Sequence, residues 1–315
     1  MSLTTEILSP VTTAAGLYPA IHTLISQVAM PNMVSRQFLM QYSLTHGNAV
    51  TFPKQSGSGG AVINEMAEGA EILQDVTPYS YVNVVPYKIG HGFIVTRETI
   101  EDSLLPIQQD QLIRASLRAA NKIDKDCIDT ISAAIQSQNT VTAAGKNLGV
   151  DGTEFVLSGS GGYALGQFDI VDAKRRLATG SYLADTMMVH PNTAAWIEKN
   201  PHFMSYIYLG RNVIDQGYKL QAPGAFGTIL GLDVYSTINC TGSTTAEYAY
   251  VLSRGKTATV LGQYSPLGFF VERRPLTTAV KPIEERDSVG IFITARYSPV
   301  VIRAEAAAKI QTIGS

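Results

Sequence analysis

The chain has 315 residues, 45% hydrophobic and 16% charged, with a formal net charge of −2. That composition suits a folded protein long enough for two compact domains or one extended one, and it argues against disorder and against a strongly basic surface that coats nucleic acid. Its two cysteines, Cys127 and Cys240, supply neither a zinc-ligand spacing nor a disulfide framework. No apolar run reaches the ~18 residues of a membrane-spanning helix. The first residues, MSLTTEILSPVTTAAG, lack the basic and apolar regions of a signal peptide. The expectation is a soluble protein made in a cytoplasm, without membrane contact or cofactor.

Residues 1–17 are rich in Thr, Ser and Ala and predict an extended arm. Residues 18–27 (YPAIHTLISQ) predict a short amphipathic helix, which Pro31 and Asn32 break, and 33–43 is mixed. An arm of this kind has no core of its own and needs the rest of the chain or a neighbouring subunit.

The segment 46–96 opens with a strand over 49–54, followed by a loose turn at Gly57, Gly59 and Gly60. Over 79–95 the odd positions Tyr79, Tyr81, Val85, Tyr87, Ile89, His91, Phe93 and Val95 are mostly apolar or aromatic. This period of two predicts one strand about 17 residues and roughly 55 Å long, some three times the usual length. Such a strand reads as half of a projecting hairpin. Its outer part, 64–75 (NEMAEGAEILQD), carries Glu65, Glu68, Glu71 and Asp75 and no basic residue. A lone two-stranded hairpin is marginal in water, so this one is expected to lie on a neighbouring copy.

The segment 96–138 predicts one very long helix after a short lead-in. Ser103 suits the N-cap and Pro106 the first turn. Ile113, Leu117, Ala120, Cys127, Ile131 and Ile135 form the expected apolar stripe, while Gln111, Arg118, Lys122, Lys125, Asp126 and Asp129 occupy the opposite face. From 106 to 138 the rise is roughly 50 Å. The stripe is rich in small residues and sustains no heptad of large ones, which favours a spine over a coiled-coil strand. Cys127 on that stripe is expected to be a buried, inert thiol.

Further on, 139–167 is a Gly/Ser/Thr-rich connection with a strand at 154–157. A helix over 168–179 (FDIVDAKRRLAT) ends at Gly180, and a buried strand over 185–190 (DTMMVH) leads into a helix over 191–200 that starts at Pro191. Residues 201–226 are irregular and aromatic. Strands are expected over 228–237, 248–261, 266–274, 289–297 and 300–302, which makes the last third β-rich.

No chemistry stands out. The glycine-rich 57–60 and 158–162 are not followed by Lys-Ser/Thr, so neither is a phosphate-binding loop. The five histidines show no ligand spacing, and His190 before Pro191 reads as a packed turn residue. No Ser sits in G-x-S-x-G and no Cys–His pairing is visible. Glu284, Glu285 and Asp287 read as a solvated turn. Arg273 and Arg274 could face DNA or a neighbour, but at this net charge they read equally as a salt bridge or a solvated pair. The acidic hairpin tip is the one cluster with a functional reading: Glu65, Glu68 and Glu71 are expected to meet Arg114, Arg118 and Lys122 of an adjacent subunit's spine helix.

The order of these parts carries a resemblance: an arm, a long hairpin, the junction IVTRETIEDS (94–103), a spine helix, the strand-to-helix turn MVHP (188–191), the strand GLDV (231–234) and a terminal β run (289–302). It resembles the major capsid proteins of tailed phages and related viruses, the Hong Kong 97-like fold, over nearly the whole chain. The resemblance implies an α+β fold with an N-terminal arm (1–45), an E-loop hairpin (46–96), a P-domain (97–138 plus 264–297) and an A-domain (139–263 plus 298–315). It implies a non-enzymatic virion protein, assembled in the host cytoplasm into hexamers and pentamers of an icosahedral shell. That shell would package double-stranded DNA without sequence-specific binding. Because the chain begins at Met1 almost on the arm, a separate scaffolding protein, or none, is expected, together with a portal. Some relatives cross-link subunits through a Lys–Asn bond; Lys54 is the only lysine before residue 88, and no partner asparagine is indicated. The alternative is an encapsulin-type compartment shell that houses cargo enzymes.

Overall fold

A computed structural model of the chain describes residues 33–55, 79–96, 98, 107–148, 154–156, 158–159, 162–199, 225–240, 246–254 and 267–313. In chain order its first strands are β1 (Met40–Ser43), β2 (Val50–Gln55), β3 (Tyr79–Val84) and β4 (Tyr87–Thr96), and the helix α1 (Ile107–Ala134) follows. Short strands β5 (Thr140–Thr142), β6 (Lys146–Leu148), β7 (Glu154–Val156), β8 (Ser158–Gly159) and β9 (Gly162–Tyr163) lead to α2 (Gln167–Thr179), β10 (Thr186–Val189) and α3 (Pro191–Lys199). The remainder is β11 (Ala225–Ile229), β12 (Leu232–Ser236), β13 (Ala246–Leu252), β14 (Gly268–Ile283), β15 (Ser288–Val301) and β16 (Ala307–Ile313). Two sheets carry the body: a four-stranded one ordered β1-β14-β15-β4 and a six-stranded one ordered β11-β12-β10-β13-β16-β5, while β2 and β3 form a separate ribbon.

The spine helix is α1, 28 residues and hence about 42 Å long. It is shorter than expected: a 3₁₀ turn at Ser137–Asn139 follows it, and Ser103 and Pro106 lie outside the described residues. Its buried stripe also differs. Leu112, Ala115, Ala119, Ile123, Cys127, Ile128, Ile131 and Ile135 are buried, whereas Ile113 and Leu117 are 37% and 39% exposed. Two stripes interlace in this sequence, and the sheet covers the one with small side chains, which admits a closer approach. Ser116 fits this buried stripe because its hydroxyl donates to the Ile113 carbonyl at 2.7 Å. Leu112 and Ala115 pack on Ile291 and Ile293 of β15. The second half of α1 shares a core with Met188 and Tyr250 of the six-stranded sheet and Phe270 and Tyr297 of the four-stranded one. The helix thus joins both sheets.

The single long strand expected over 79–95 is two strands in two different sheets. β3 pairs antiparallel with β2, from Val50↔Val84 to Gln55↔Tyr79. β4 pairs antiparallel with β15, from Tyr87↔Tyr297 to Thr96↔Ser288. The break falls at Val85–Pro86, where proline has no N–H to give a ladder. Pro86 instead presents its carbonyl to Arg296 Nε at 3.0 Å. The side-chain parity reverses across the break. Ile89, Phe93 and Val95 turn inward, but Tyr79 and Tyr81 turn outward, leaving Val84 to face the core.

Elsewhere the chain is more continuous than its sequence suggests. The three strands expected over 266–274, 289–297 and 300–302 are two long partners, β14 and β15. Their register shifts lie between Glu272 and Thr277, and Pro275, which has no N–H to give a ladder, falls in that irregular stretch while the strand continues past it. The expected strand over 228–237 is the hairpin β11–β12. It turns at Leu230 (φ 51) and Gly231 (φ 77), and two successive positive φ values give the twist that a two-residue hairpin needs. The strand β16 has no counterpart among the expectations, because an alanine-rich AEAAAKI carries little β signature. Met33, Val34, Phe38 and Leu39, expected to belong to an arm without a core, are buried in the core cluster that α1 shares with both sheets.

Candidate subunit interface

The inner face of the β2–β3 ribbon fixes it to the body. Phe52 stacks on Phe269 of β14 with centroids 4.3 Å apart and planes 7° apart. Phe52, Val84, Val271 and Ile302 close a small core there. The outer face of the ribbon is bare: Tyr79 is 61% and Tyr81 72% exposed. Val85 and Ile94 are exposed nearby in the chain. Isolated exposed apolar side chains are ordinary, but a run of aromatics on one strand face marks a surface made to be covered.

At the root of the ribbon, Asp126 of α1 accepts hydrogen bonds from the hydroxyls of Tyr87 and Tyr297, both at 2.8 Å. Lys122 Nζ also lies 2.6 Å from this carboxylate. Burial and then the adjacent carboxylate push both phenols well above the usual tyrosine range, so both stay neutral donors. Asp126, expected on the solvated face of the helix, is therefore a clasp joining α1, β4 and β15. A carboxylate four residues after a lysine reads as a surface pair, and only the fold brings the tyrosines to it.

Of the residues expected to form an intersubunit charge contact, Arg114, Arg118 and Lys122 are exposed on α1, and Lys122 already pairs with Asp126. Glu65, Glu68 and Glu71 lie outside the described residues. Ile113 and Leu117 share the outer face with Arg114 and Arg118, so this face is mixed apolar and basic rather than merely solvated.

The face of the four-stranded sheet away from α1 is half-buried along β15, at Phe292, Thr294 and Arg296, and exposed at Lys88 and Arg274. Register places Lys88, Arg296 and Arg274 in one row across β4, β15 and β14. Beside that row the Phe292 ring lies over Gly92 and Gly290: a Cβ built on Gly92 would come 2.6 Å from the ring, and one on Gly290 2.9 Å. Glycine here makes room for a ring lying flat on the sheet.

The other candidate residues are packing groups. Cys127 and Cys240 are buried, which pushes the Cys127 thiol up to about 12 and the Cys240 thiol well above its ordinary value. His190 Nδ1 lies 3.2 Å from Glu247 Oε1, beside α3. Arg273 Nη1 donates to the Leu44 carbonyl at 3.0 Å, while Arg274, Glu285 and Asp287 are exposed. Among the described residues no cluster of His, Cys, Asp or Glu has metal-holding geometry, and no helix is long and apolar enough to cross a membrane.

A family model described as phage capsid protein matches residues 81–310. No curated protein matches the chain. Among solved structures, the chain is similar to the capsid of the cyanophage P-SCSP1u (TM-score 0.60, 10% identity, covering 88% of this chain and 87% of that one). It is also similar to the mature capsid of bacteriophage PhiM1 (0.59, 12%, 90% and 87%) and to the capsid of a native GTA particle (0.59, 12%, 90% and 91%). At these identities the likeness is one of fold.

Proposed function

The chain belongs to the phage capsid protein family, and from that premise we propose that it builds the hexamers and pentamers of an icosahedral shell around a double-stranded DNA genome. In this reading the fold is Hong Kong 97-like, and its parts are the arm (1–45), the E-loop (46–96), the P-domain (97–138 plus 264–297) and the A-domain (139–263 plus 298–315). A phage capsid protein is a structural component of the virion, and self-association is its work. One observation carries the reading for this chain: the outward aromatic face of the β2–β3 ribbon, anchored at its root and uncovered in a single subunit. Burial of such side chains on a neighbour contributes roughly 25 cal/mol per Å² of apolar surface removed from water, repeated at every contact of the shell.

The contact proposed at residue level sets Glu65, Glu68 and Glu71 of one subunit against Arg114, Arg118 and Lys122 of another. Exposed ion pairs contribute about 0–1 kcal/mol each, so their role is register rather than strength. Reversing charge at Glu65 and Glu68 is expected to lower assembly yield and change its salt dependence. An unchanged yield and salt response would remove this contact from the reading.

Negative-stain microscopy with particle mass and the 260/280 nm absorbance ratio tests the whole proposal on the chain expressed alone and with a scaffolding protein. Closed shells, or rings of five and six, are expected. Shells filled with protein cargo would favour a compartment instead, and a stable monomer under both conditions would refute assembly.

A further inference from the structure

Asp124 is a charged side chain in the middle of the core, only 2% exposed. Its carboxylate takes hydrogen bonds from two sides. The Ser35 amide lies 2.6 Å and the Ser35 hydroxyl 2.7 Å from Oδ1. The Thr237 hydroxyl lies 2.7 Å and Asn239 Nδ2 2.9 Å from Oδ2. The first pair comes from the segment leading into β1, and the second from the turn after β12, 113 or more residues along the chain from Asp124. All four donors are neutral. A buried charge is tolerable only when its hydrogen-bonding capacity is met, and here each side meets half of it.

The segment around Ser35 is itself placed between the sheets. Arg36 pairs with Glu272 of β14 at 2.9 Å, and Phe38 packs edge-on against Tyr235 of β12 with centroids 5.0 Å apart. The segment that leads from Met33 into β1 therefore lies beside a carboxylate that also holds the turn after β12 to α1.

We propose that Asp124 is a coupling joint: the arm-root segment and the six-stranded sheet are held through one carboxylate, so that loosening either side loosens the other. The device lies in the geometry. Removing a donor from Oδ2 leaves the anion short of partners and free to turn, and that turn weakens the short bonds at Oδ1. A force applied to the arm thereby reaches the turn after β12, without the two segments sharing any hydrogen bond with each other through this site. The inference concerns the single subunit and stands apart from the shell reading.

Hydrogen exchange on the full chain tests it, comparing the parent with Ser35→Ala, Thr237→Val and the double variant. Thr237→Val is expected to speed exchange of amides 34–39 at least threefold, and Ser35→Ala to speed amides 237–240 similarly. The double variant is expected to fall short of the product of the two. Amides of α2, which has no part in the joint, serve as the reference and are expected to hold their rates. Asp124→Asn, where it folds, is expected to loosen both sides together; where it does not, the single variants decide. Acceleration confined to each variant's own side overturns the proposal, and so does equal acceleration in α2, which would mean general destabilisation.

Discussion

Asp126 shows how one side chain acquires a role that its position in a helix does not announce. Tyr297 is 1% exposed, so its hydroxyl must have a partner inside the protein, and Asp126 is that partner. Replacing Asp126 by Ala is expected to destabilise the subunit by about 1–3 kcal/mol, the cost of leaving a buried hydroxyl unpaired, measured by urea unfolding. Asp126→Asn, which keeps an acceptor oxygen, is expected to cost less. The phenols also set the response to base. Tyr87, Tyr250 and Tyr297 are all raised in the folded chain, burial first among the causes. In the unfolded chain they titrate near the ordinary value of 10.0. Above that pH the unfolded state releases protons that the folded state keeps, so it gains relative to the native one. Stability is therefore expected to be indifferent to these groups below pH 10 and to fall as the pH rises beyond it; an unfolding midpoint flat through pH 11 would contradict the burial of these hydroxyls. Cys127, ordinarily near 9.0 and here pushed up to about 12, adds a loss of the same sign beginning about a unit lower.

At the scale of elements, Gly92 on β4 and Phe292 on β15 form a pair of unequal size. The 2.6 Å that a Cβ on Gly92 would have from the Phe292 ring requires the ring to leave its place on the sheet. Gly92→Ala is expected to cost about 1–3 kcal/mol by overpacking, and adding Phe292→Ala is expected to return part of it, a coupling read from a double-mutant cycle of thermal unfolding. The same elements show how far the sequence was legible. Helix periodicity located α1, α2 and α3, and the apolar run DTMMVH located β10, because each depends on local spacing. What periodicity could not settle was which of two interlaced stripes on α1 meets the sheet, since Ile113/Leu117 and Leu112/Ala115 are both spaced for a helix. Nor could an alternating run reveal that Pro86 hands the chain from one sheet to another and reverses its facing. The β11–β12 turn was invisible because Leu-Gly is not among the usual turn pairs, and Leu230 takes its positive φ only with tertiary support. Of the candidate contact, only the α1 side lies within the described residues: Arg114, Arg118 and Lys122 are exposed there, beside Ile113 and Leu117, which helical spacing alone places on the apolar stripe. Asp124 does carry a signal in the sequence, a carboxylate four residues after Ala120 and four before Ile128 on the buried stripe.

For the whole molecule the ribbon poses a question of balance between subunit and assembly. Its inner face, with Phe52 on Phe269, belongs to the stability of the single chain; its outer face, with Tyr79 and Tyr81, contributes almost nothing there, because both rings already stand in water. Replacing both tyrosines by Ser is therefore expected to leave the unfolding free energy of the free subunit within about 0.5 kcal/mol of the parent, while lowering the yield of assembled particles severalfold. A partner that binds only the folded form stabilises it, so the parent is also expected to gain on assembly: exchange of amides 79–95 should slow in the shell relative to the free subunit. Phe52→Ala separates the two faces. It removes a stacked, buried ring and is expected to destabilise the free subunit by about 3–5 kcal/mol, whatever it does to assembly. If the tyrosine variant instead destabilised the free subunit as Phe52→Ala does, the outer face would be part of the subunit's own core. If it left both stability and particle yield unchanged, the ribbon would not be the surface by which one copy covers another.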